Sequence, residues 1–491
     1  MQIRACTDEF QGMISGAKFS HPGAGQLDSL RWDEVQKGCE DALFGRTRSE
    51  SMSGKVIALR RWIYLVSPVL SFLLVACYLF WPRGDSLFNP LYSSLEEFER
   101  RSLPGLKDVH VVLKTGATEA LRKLPVHFST TLRDVPRFTL FSDYEEDVGG
   151  FHLHDVLKSV DDDIKNEHPD FELYRRLRDT GRETLSPTWN KTIDESTPAG
   201  KPKNPGWVLD KWKFLPMMHE TLQARDDAEW YVFIEADTYI VWPNLIGWLE
   251  TFNASEPIFL GSQMKIGDII FAHGGSGFAL SRPALEQIVE YHSSRVDEWD
   301  TYTSHQWAGD AILGKALADS GINLTWSWPM FQGATPWTFD HLSASYNKLP
   351  WCYPPVAYHH MDPADIREFW RFEMTWSKEA SKEQSGNSTF LHHSDVFQKL
   401  IRPLLAAKRT DWDNDSKDAV EGVKSAKECK QKCSEYPECL QYSYSSKGCH
   451  ISKGLQAGIT KPGVFSGWMA KRIDDAVAKL GSCEQTNWAR R

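Results

Sequence analysis

Hydrophobic positions in this chain gather into unbroken runs, and several runs end on charged or small polar residues. Residues 230–234 read Trp-Tyr-Val-Phe-Ile and lead straight into Glu235, Ala236 and Asp237. An apolar run without alternation predicts a strand buried on both faces, as in a sheet covered by helices. Residues 109–113 and 138–141 predict two more strands, ending at Lys114, Thr115 and Gly116 and at Ser142 and Asp143. Helical stretches are predicted near 118–124, 209–222, 243–252, 282–292 and from Gly309 onward, with two short strands within 259–271. Strand, helix, strand with polar residues at both strand ends is how a nucleotide-binding α/β half begins. Residues 185–206, rich in Pro, Thr, Asn, Lys and Gly, read as a surface loop.

Residues 62–81 carry no charge and are about as long as a helix needs to cross a bilayer. Trp62, Tyr64, Tyr78 and Trp81 sit near its ends, where interfacial aromatics belong. Lys55, Arg60 and Arg61 precede the span, so the positive-inside rule puts the N-terminus in the cytoplasm. The expected organisation is a disordered cytoplasmic tail (1–61), a signal-anchor helix (62–81), a stem (82–105), a catalytic domain (106–376) and a linker (377–409). That linker holds an amphipathic helix near 396–408, and a small module (410–491) follows.

Composition narrows the function. A formal net charge of −10 argues against nucleic-acid binding. Five of the nine cysteines crowd the last quarter of the 491 residues, as disulfides in a lumenal segment would. Sequons at Asn190, Asn253, Asn323, Asn387 and Asn414 also follow the span and fit the secretory pathway.

The chemistry starts at the end of the 230–234 run. Ligands of open α/β sheets bind beyond the carboxyl ends of the strands, where Glu235 and Asp237 fall. If the chain stays extended, their i, i+2 spacing sends both carboxylates to one side. Oxygen ligands there suit Mg²⁺ or Mn²⁺ bridging to a substrate diphosphate. The bland alternative is an acidic pair capping a surface turn. Lys114, Thr115 and Asp143 lie at strand ends suited to uridine and ribose. Gly274, Gly275 and Gly277 form a turn that would let backbone approach a donor or acceptor sugar without Cβ clashes. Trp326, Trp328, Trp337 and Trp351 cluster ahead of His359 and His360. Core packing is their default role, with Trp328 and Trp337 as candidates to stack on a sugar.

Taken in order, these motifs resemble glycosyltransferase family 31, the inverting β1,3-glycosyltransferases that include Fringe, and most of all its core 1 β1,3-galactosyltransferase subgroup. The similarity runs over about 105–375. It is carried by Trp212-Lys213-Phe214, by the 230–239 segment with Asn244-Leu245, by Gly274-Gly275-Ser276-Gly277-Phe278, by Asp310 with Leu313-Gly314, and by Tyr358-His359-His360. The resemblance implies a GT-A-like α/β fold, a mixed sheet flanked by helices. It implies Asp237 as direct metal ligand, Glu235 as second or water-mediated ligand, His359 as third ligand and Asp310 as general base. His360 is a weaker alternative to His359. The implied ion is Mn²⁺, with Mg²⁺ as substitute, and the implied substrates are a UDP-sugar and a glycan or glycoprotein acceptor. Glu235 and Ala236 stand where the family has aspartates, and Gly309 where it has an acid before Asp310. The last 80 residues resemble a PAN/apple module, which implies Cys429 paired with Cys449 and Cys433 with Cys439, leaving Cys483 to Cys352 or to a partner elsewhere.

The sequence thus describes a type II membrane enzyme of the Golgi or endoplasmic reticulum with a lumenal catalytic domain, compatible with a homodimer. It would move a hexose, galactose first, in β1,3 linkage. Its rivals are the same fold with UDP-glucose or UDP-N-acetylglucosamine, and an inactive membrane-tethered glycan-binding protein.

Overall fold

The structure, a computed structural model, describes residues 103–185, 204–382, 390–405 and 408–490. The expected span at 62–81 and the sequons at Asn190 and Asn387 lie outside the described residues. Among the described residues no helix is long and apolar enough to cross a membrane.

Among the described residues twelve strands precede the C-terminal module: β1 (Val109–Lys114), β2 (Phe138–Ser142), β3 (Glu146–Val148), β4 (Phe151–Asp155), β5 (Trp230–Glu235), β6 (Tyr239–Ile240), β7 (Phe259–Gly261), β8 (Gln263–Ile266), β9 (Ile269–Ala272), β10 (Phe278–Ser281), β11 (Leu324–Trp326) and β12 (Ala357–Tyr358). Eight form one mixed sheet in the order β11-β7-β10-β5-β1-β2-β4-β3. Strand β5 lies at its centre, parallel to β1 and antiparallel to β10. The apolar run divides as expected for a strand covered on both faces. Trp230, Val232 and Ile234 enter one core, and Tyr231 and Phe233 enter the other. Because β5 and β7 both oppose β10, the strands β1, β5, β7 and β11 end on the same rim.

The helices that position the site are α1 (Ala120–Ser129), α2 (Pro205–Asp210), α3 (Phe214–Ala224), α4 (Trp242–Leu249), α5 (Arg282–Ser293), α6 (Val296–Ser304), α7 (Gly309–Asp319) and α8 (Pro363–Ala380). Two local expectations differ from the structure. Residues 259–272 form three strands, because Gly267, with φ of 58°, and Asp268 close a tight β8–β9 hairpin. The amphipathic helix expected at 396–408 is a π-turn at Val396–Ile401 followed by a 3-10 turn at Arg402–Leu404. Pro403 lacks the N–H needed to extend it.

The C-terminal module holds β13 (Arg409–Asp413), β14 (Asp418–Val420), α9 (Ala426–Glu435), β15 (Gln441–Ser445), β16 (Gly448–Ser452), β17 (Ile459–Trp468) and α10 (Ala470–Leu480). Its sheet runs β13-β17-β15-β16-β14. Disulfides Cys429–Cys449 and Cys433–Cys439 tie α9 to that sheet, the pairing implied by resemblance. Cys352 bonds Cys483 across 131 residues. The expected boundary at 410 does not divide the packing. Leu455, Ala457, Trp468 and Ile473 share one core with Tyr239, Trp351, Tyr358 and Phe369. The chain end returns to the first domain, where Trp248 Nε1 donates to the Ala489 carbonyl at 2.7 Å.

Candidate active site

Two short segments bring the site together. Strand β6 begins two residues after Asp237, and β12 ends one residue before His359. Their antiparallel pairing, Tyr239 opposite Tyr358, sets the two side chains side by side. The Met361 N–H donates to the Asp237 carbonyl at 3.0 Å and fixes the same crossing. His359 Nε2 lies 3.1 Å from Asp237 Oδ1 and 3.9 Å from Glu235 Oε2. The chain does not stay extended between the acids, since the Thr238 N–H turns back to the Glu235 carbonyl at 3.0 Å. The carboxylates converge through that turn. His360 stacks on His359, with ring centroids 3.9 Å apart. Its φ of 59° is rare for a non-glycine residue, and such backbone clusters at functional sites. Asp237, His359 and His360 are the group among the described residues whose ligand atoms could hold a metal, all within 4.8 Å of one another.

Two lysines face the acids across the wall. Lys123 Nζ on α1 lies 2.9 Å from Asp237 Oδ2 and 2.6 Å from Glu119. Lys114 Nζ lies 3.0 Å from Glu235 Oε1 and also pairs with Asp210. Burial alone would push both acids up. Lys114 and His359 outweigh it and hold the Glu235 carboxyl below its usual range. His359 and Lys123 hold Asp237 well below. Burial opposes charge on His359, yet Asp237 draws its pKa up, while burial takes His360 down to about 4. These groups line a cavity of about 180 Å³. A larger recess of about 550 Å³ by His110, Arg137 and Asp227 sits at the opposite ends of the strands, away from the acids.

Asp310 opens α7. Its Oδ2 accepts from the Gly274 N–H and its Oδ1 from the Ala311 N–H, both at 2.9 Å. Burial, reinforced by the Glu235 charge, lifts its carboxyl to about 6 against the pull of those hydrogen bonds. That value suits a base working near neutrality. Its neighbour Gly309 cannot be larger, because a Cβ there would meet Phe214 at 2.4 Å and the Lys211 Cα at 2.7 Å.

The Fringe-like family matches residues 211–334 and the PAN family residues 407–466. This chain carries a Fringe-like domain followed by a PAN domain. A mouse β-1,3-glucosyltransferase is 26% identical over 186 residues, covering 36% of this chain and 32% of the relative. The glycoprotein-N-acetylgalactosamine 3-β-galactosyltransferase 1 of Xenopus laevis is 29% identical over 116 residues, 23% of this chain and 30% of the relative. Human chondroitin sulfate synthase 3 is 28% identical over 153 residues, 28% of this chain and 16% of the relative. The chain spans about a third of the length of the first two relatives.

The Fringe-like match contains Glu235, Asp237, the glycine turn and Asp310, and stops short of His359. The structure adds His359 and brings in Lys123, Asp210 and His360. Several expectations need correction. Gly274, Gly275 and Gly277 are buried beneath the site rather than exposed on its wall. A Cβ on Gly275 would lie 2.1 Å from His359 Cε1, and Gly274 braces Asp310, so the turn supports the site from behind. Gly277 adopts φ of 81° beneath Phe233. Asp143 is 1% exposed, pairs with Lys213 at 2.8 Å and accepts from the Ala117 N–H, so it holds the loop after β1 and is closed to uridine. Lys114 and Thr115 do line the cavity. Trp337 is buried in the core shared with the PAN domain, with its carbonyl bonded to Gly458 N–H. Trp328 packs against Phe339 and Tyr346 and does not line the cavity. Of the sequons, Asn253 and Asn323 are exposed. Asn414 is fully buried and donates to the carbonyls of Tyr442 and Gly467, so the folded module has no room for a glycan there.

Proposed function

We propose that this chain is a metal-dependent inverting glycosyltransferase that moves a hexose from a UDP-sugar to an acceptor glycan hydroxyl in β1,3 linkage. The observation that carries it is the convergence of Asp237, His359 and His360 on one point, with the separately held carboxyl of Asp310 on the same glycine turn. One carboxylate and two imidazoles make a mixed oxygen and nitrogen donor set, which fits Mn²⁺ better than Mg²⁺. A divalent cation held there supplies Lewis-acid neutralisation of the departing diphosphate. Glu235 acts from the next position, kept anionic by Lys114. Asp310 takes the proton of the acceptor hydroxyl as its oxygen bonds to the anomeric carbon. The bond from that carbon to the diphosphate breaks with its electron pair, and UDP leaves. Single displacement inverts the anomeric centre.

Galactose remains the first donor to test. Glucose stands beside it, because both sugars occur in the names of the relatives. Three disulfides among the described residues favour an oxidising compartment, in keeping with a lumenal domain anchored by 62–81. Release of UDP from UDP-galactose, UDP-glucose and UDP-N-acetylglucosamine with Mn²⁺ present tests the proposal. Asp237→Ala should abolish Mn²⁺-dependent release while leaving a cooperative thermal transition. Glycan binding without turnover of any donor would replace the transferase with the inactive glycan-binding protein.

A further inference from the structure

Two tryptophans outside the sequence motifs stack on each other beside the cavity, one of them on its wall. Trp207 on α2 is half-buried and lines the same cavity as Asp237 and His359. Its ring stacks on Trp307, with centroids 6.1 Å apart and planes at 26°. Trp307 is 44% exposed. A large aromatic group left in water beside a cleft calls for a ligand more than a lone exposed side chain elsewhere does.

The loop that carries Trp307, between α6 and α7, is held in place. Lys211 Nζ donates to the Gln306 carbonyl at 2.8 Å and reaches the Ser304 carbonyl at 3.4 Å. The same ammonium pairs with Asp170 at 2.8 Å. The indole is therefore presented on ordered backbone, which lowers the cost of fixing it on binding. Trp307 stands three residues before Asp310, a backbone reach of at most about 11 Å. That reach is short enough for a ring on Trp307 to share one acceptor with the base. Trp207 lines the cavity on the side shared with Asp237, where the transferase reading puts the diphosphate.

We propose that Trp207 and Trp307 form an aromatic platform for the acceptor, with the CH face of a pyranose on the indoles and its reacting hydroxyl toward Asp310. The platform deepens the transferase reading and rests on it for the direction of that hydroxyl. Pyranose CH faces pack on flat aromatic surfaces, and an indole N–H can donate to ring hydroxyls.

The test uses the full chain with Mn²⁺, UDP-galactose and UDP-glucose as donors, and a panel of methyl glycosides as acceptors. Trp307→Ala should raise the acceptor KM about tenfold, the effect of losing one aromatic contact, and the donor KM by less than about threefold. Trp307→Phe should return the acceptor KM to within about threefold of wild type. Trp207→Ala should act in the same direction. Equal rises in both KM values would assign the stack to uracil and overturn the platform, as would no change in either. Wild-type protein that turns over no donor sinks the transferase reading and leaves the platform to be judged alone. Saturation-transfer NMR with the same methyl glycosides must then show binding to wild type and its loss in Trp307→Ala, and the absence of any wild-type signal overturns the platform.

Discussion

Replacing Gly275 by alanine tests how the site is built with a single methyl group. The new Cβ would sit 2.1 Å from His359 Cε1, 2.4 Å from Nε2 and 2.7 Å from Nδ1. Ordinary contact begins at 3.4 Å, so the imidazole must retreat by about 1.3 Å. It has little freedom to do so in place, because His360 stacks on it and Asp237 lies 3.1 Å from its Nε2. The backbone cannot give way easily either, since Thr238 Oγ1 donates to the Gly275 carbonyl at 2.7 Å. Metal–ligand distances tolerate only about 0.2 Å. The displaced ring therefore leaves the donor set, and Mn²⁺ affinity should fall by about 10–100-fold, the scale seen when support for a ligand is lost. Overpacking should cost about 1–3 kcal/mol of stability. Gly274→Ala is the control on the same turn, where the nearest atoms are Phe214 Cζ at 3.1 Å and Asp310 Cβ at 3.4 Å. It should keep Mn²⁺ affinity within about threefold of wild type. Isothermal titration with Mn²⁺, paired with thermal melts with and without the ion, separates lost ligation from lost fold. A folded Gly275→Ala protein that binds Mn²⁺ as tightly as wild type would refute the assignment of His359.

Two further predictions concern Asp310 and the link between domains. A base is active when deprotonated, so with Asp310 at about 6 kcat/KM should rise about tenfold per pH unit below that value and level off above it. Asp310→Asn should remove this acid limb and lower turnover by about a hundredfold or more. The sign for stability runs the other way. A carboxyl raised in the folded state stabilises the fold below its ordinary pKa and loses that contribution as pH climbs through about 6. Asp310→Asn should therefore melt no lower than wild type at pH 8, and a lower melt would mark the residue as a structural cap. Cys352→Ser opens a bridge spanning 131 residues. On the chain-entropy scale this should cost about 4–5 kcal/mol, read as a lower melting temperature in non-reducing buffer. An unchanged melt would mean that packing alone holds the domains together.

What could be read from the sequence follows from where the signal lies. The 230–234 run predicted a doubly covered strand because every residue in it is apolar, and its two faces do feed two cores. Glu235 and Asp237 were legible because they break that run at a strand end. Lys123 was not, because its partner lies 114 positions away and a lysine spaced four residues from Glu119 looks like an ordinary surface pair. Asp143 misled for the opposite reason. It ends a strand, as a ribose ligand would, but Lys213 and the Ala117 N–H claim it, and neither contact leaves a mark in sequence. Asn414 shows the same limit, since Asn-x-Ser encodes no burial. The glycine turn was legible, but the approach of His359 to Gly275 was not, because a missing Cβ tells that something approaches closely but not what.

The PAN domain has a physical bearing on the group around Asp237 and His359 that its small size conceals. Asp237 and His359 are positioned by a ladder of only two residue pairs, too short to be stable alone. Tyr239 and Tyr358, which pair across it, are both buried in the core completed by Leu455, Ala457, Trp468 and Ile473 of the second module. Tyr239 is also fastened through its hydroxyl to Glu373 on α8 at 2.7 Å. The ladder therefore draws its rigidity from packing that the Fringe-like domain does not complete by itself. The Cys352–Cys483 bond and the seating of Ala489 beneath Trp248 hold the chain end against that domain as well. Loosening the PAN domain should then loosen Asp237 and His359 before it unfolds the main sheet, whose β1–β5 centre is buried in separate cores.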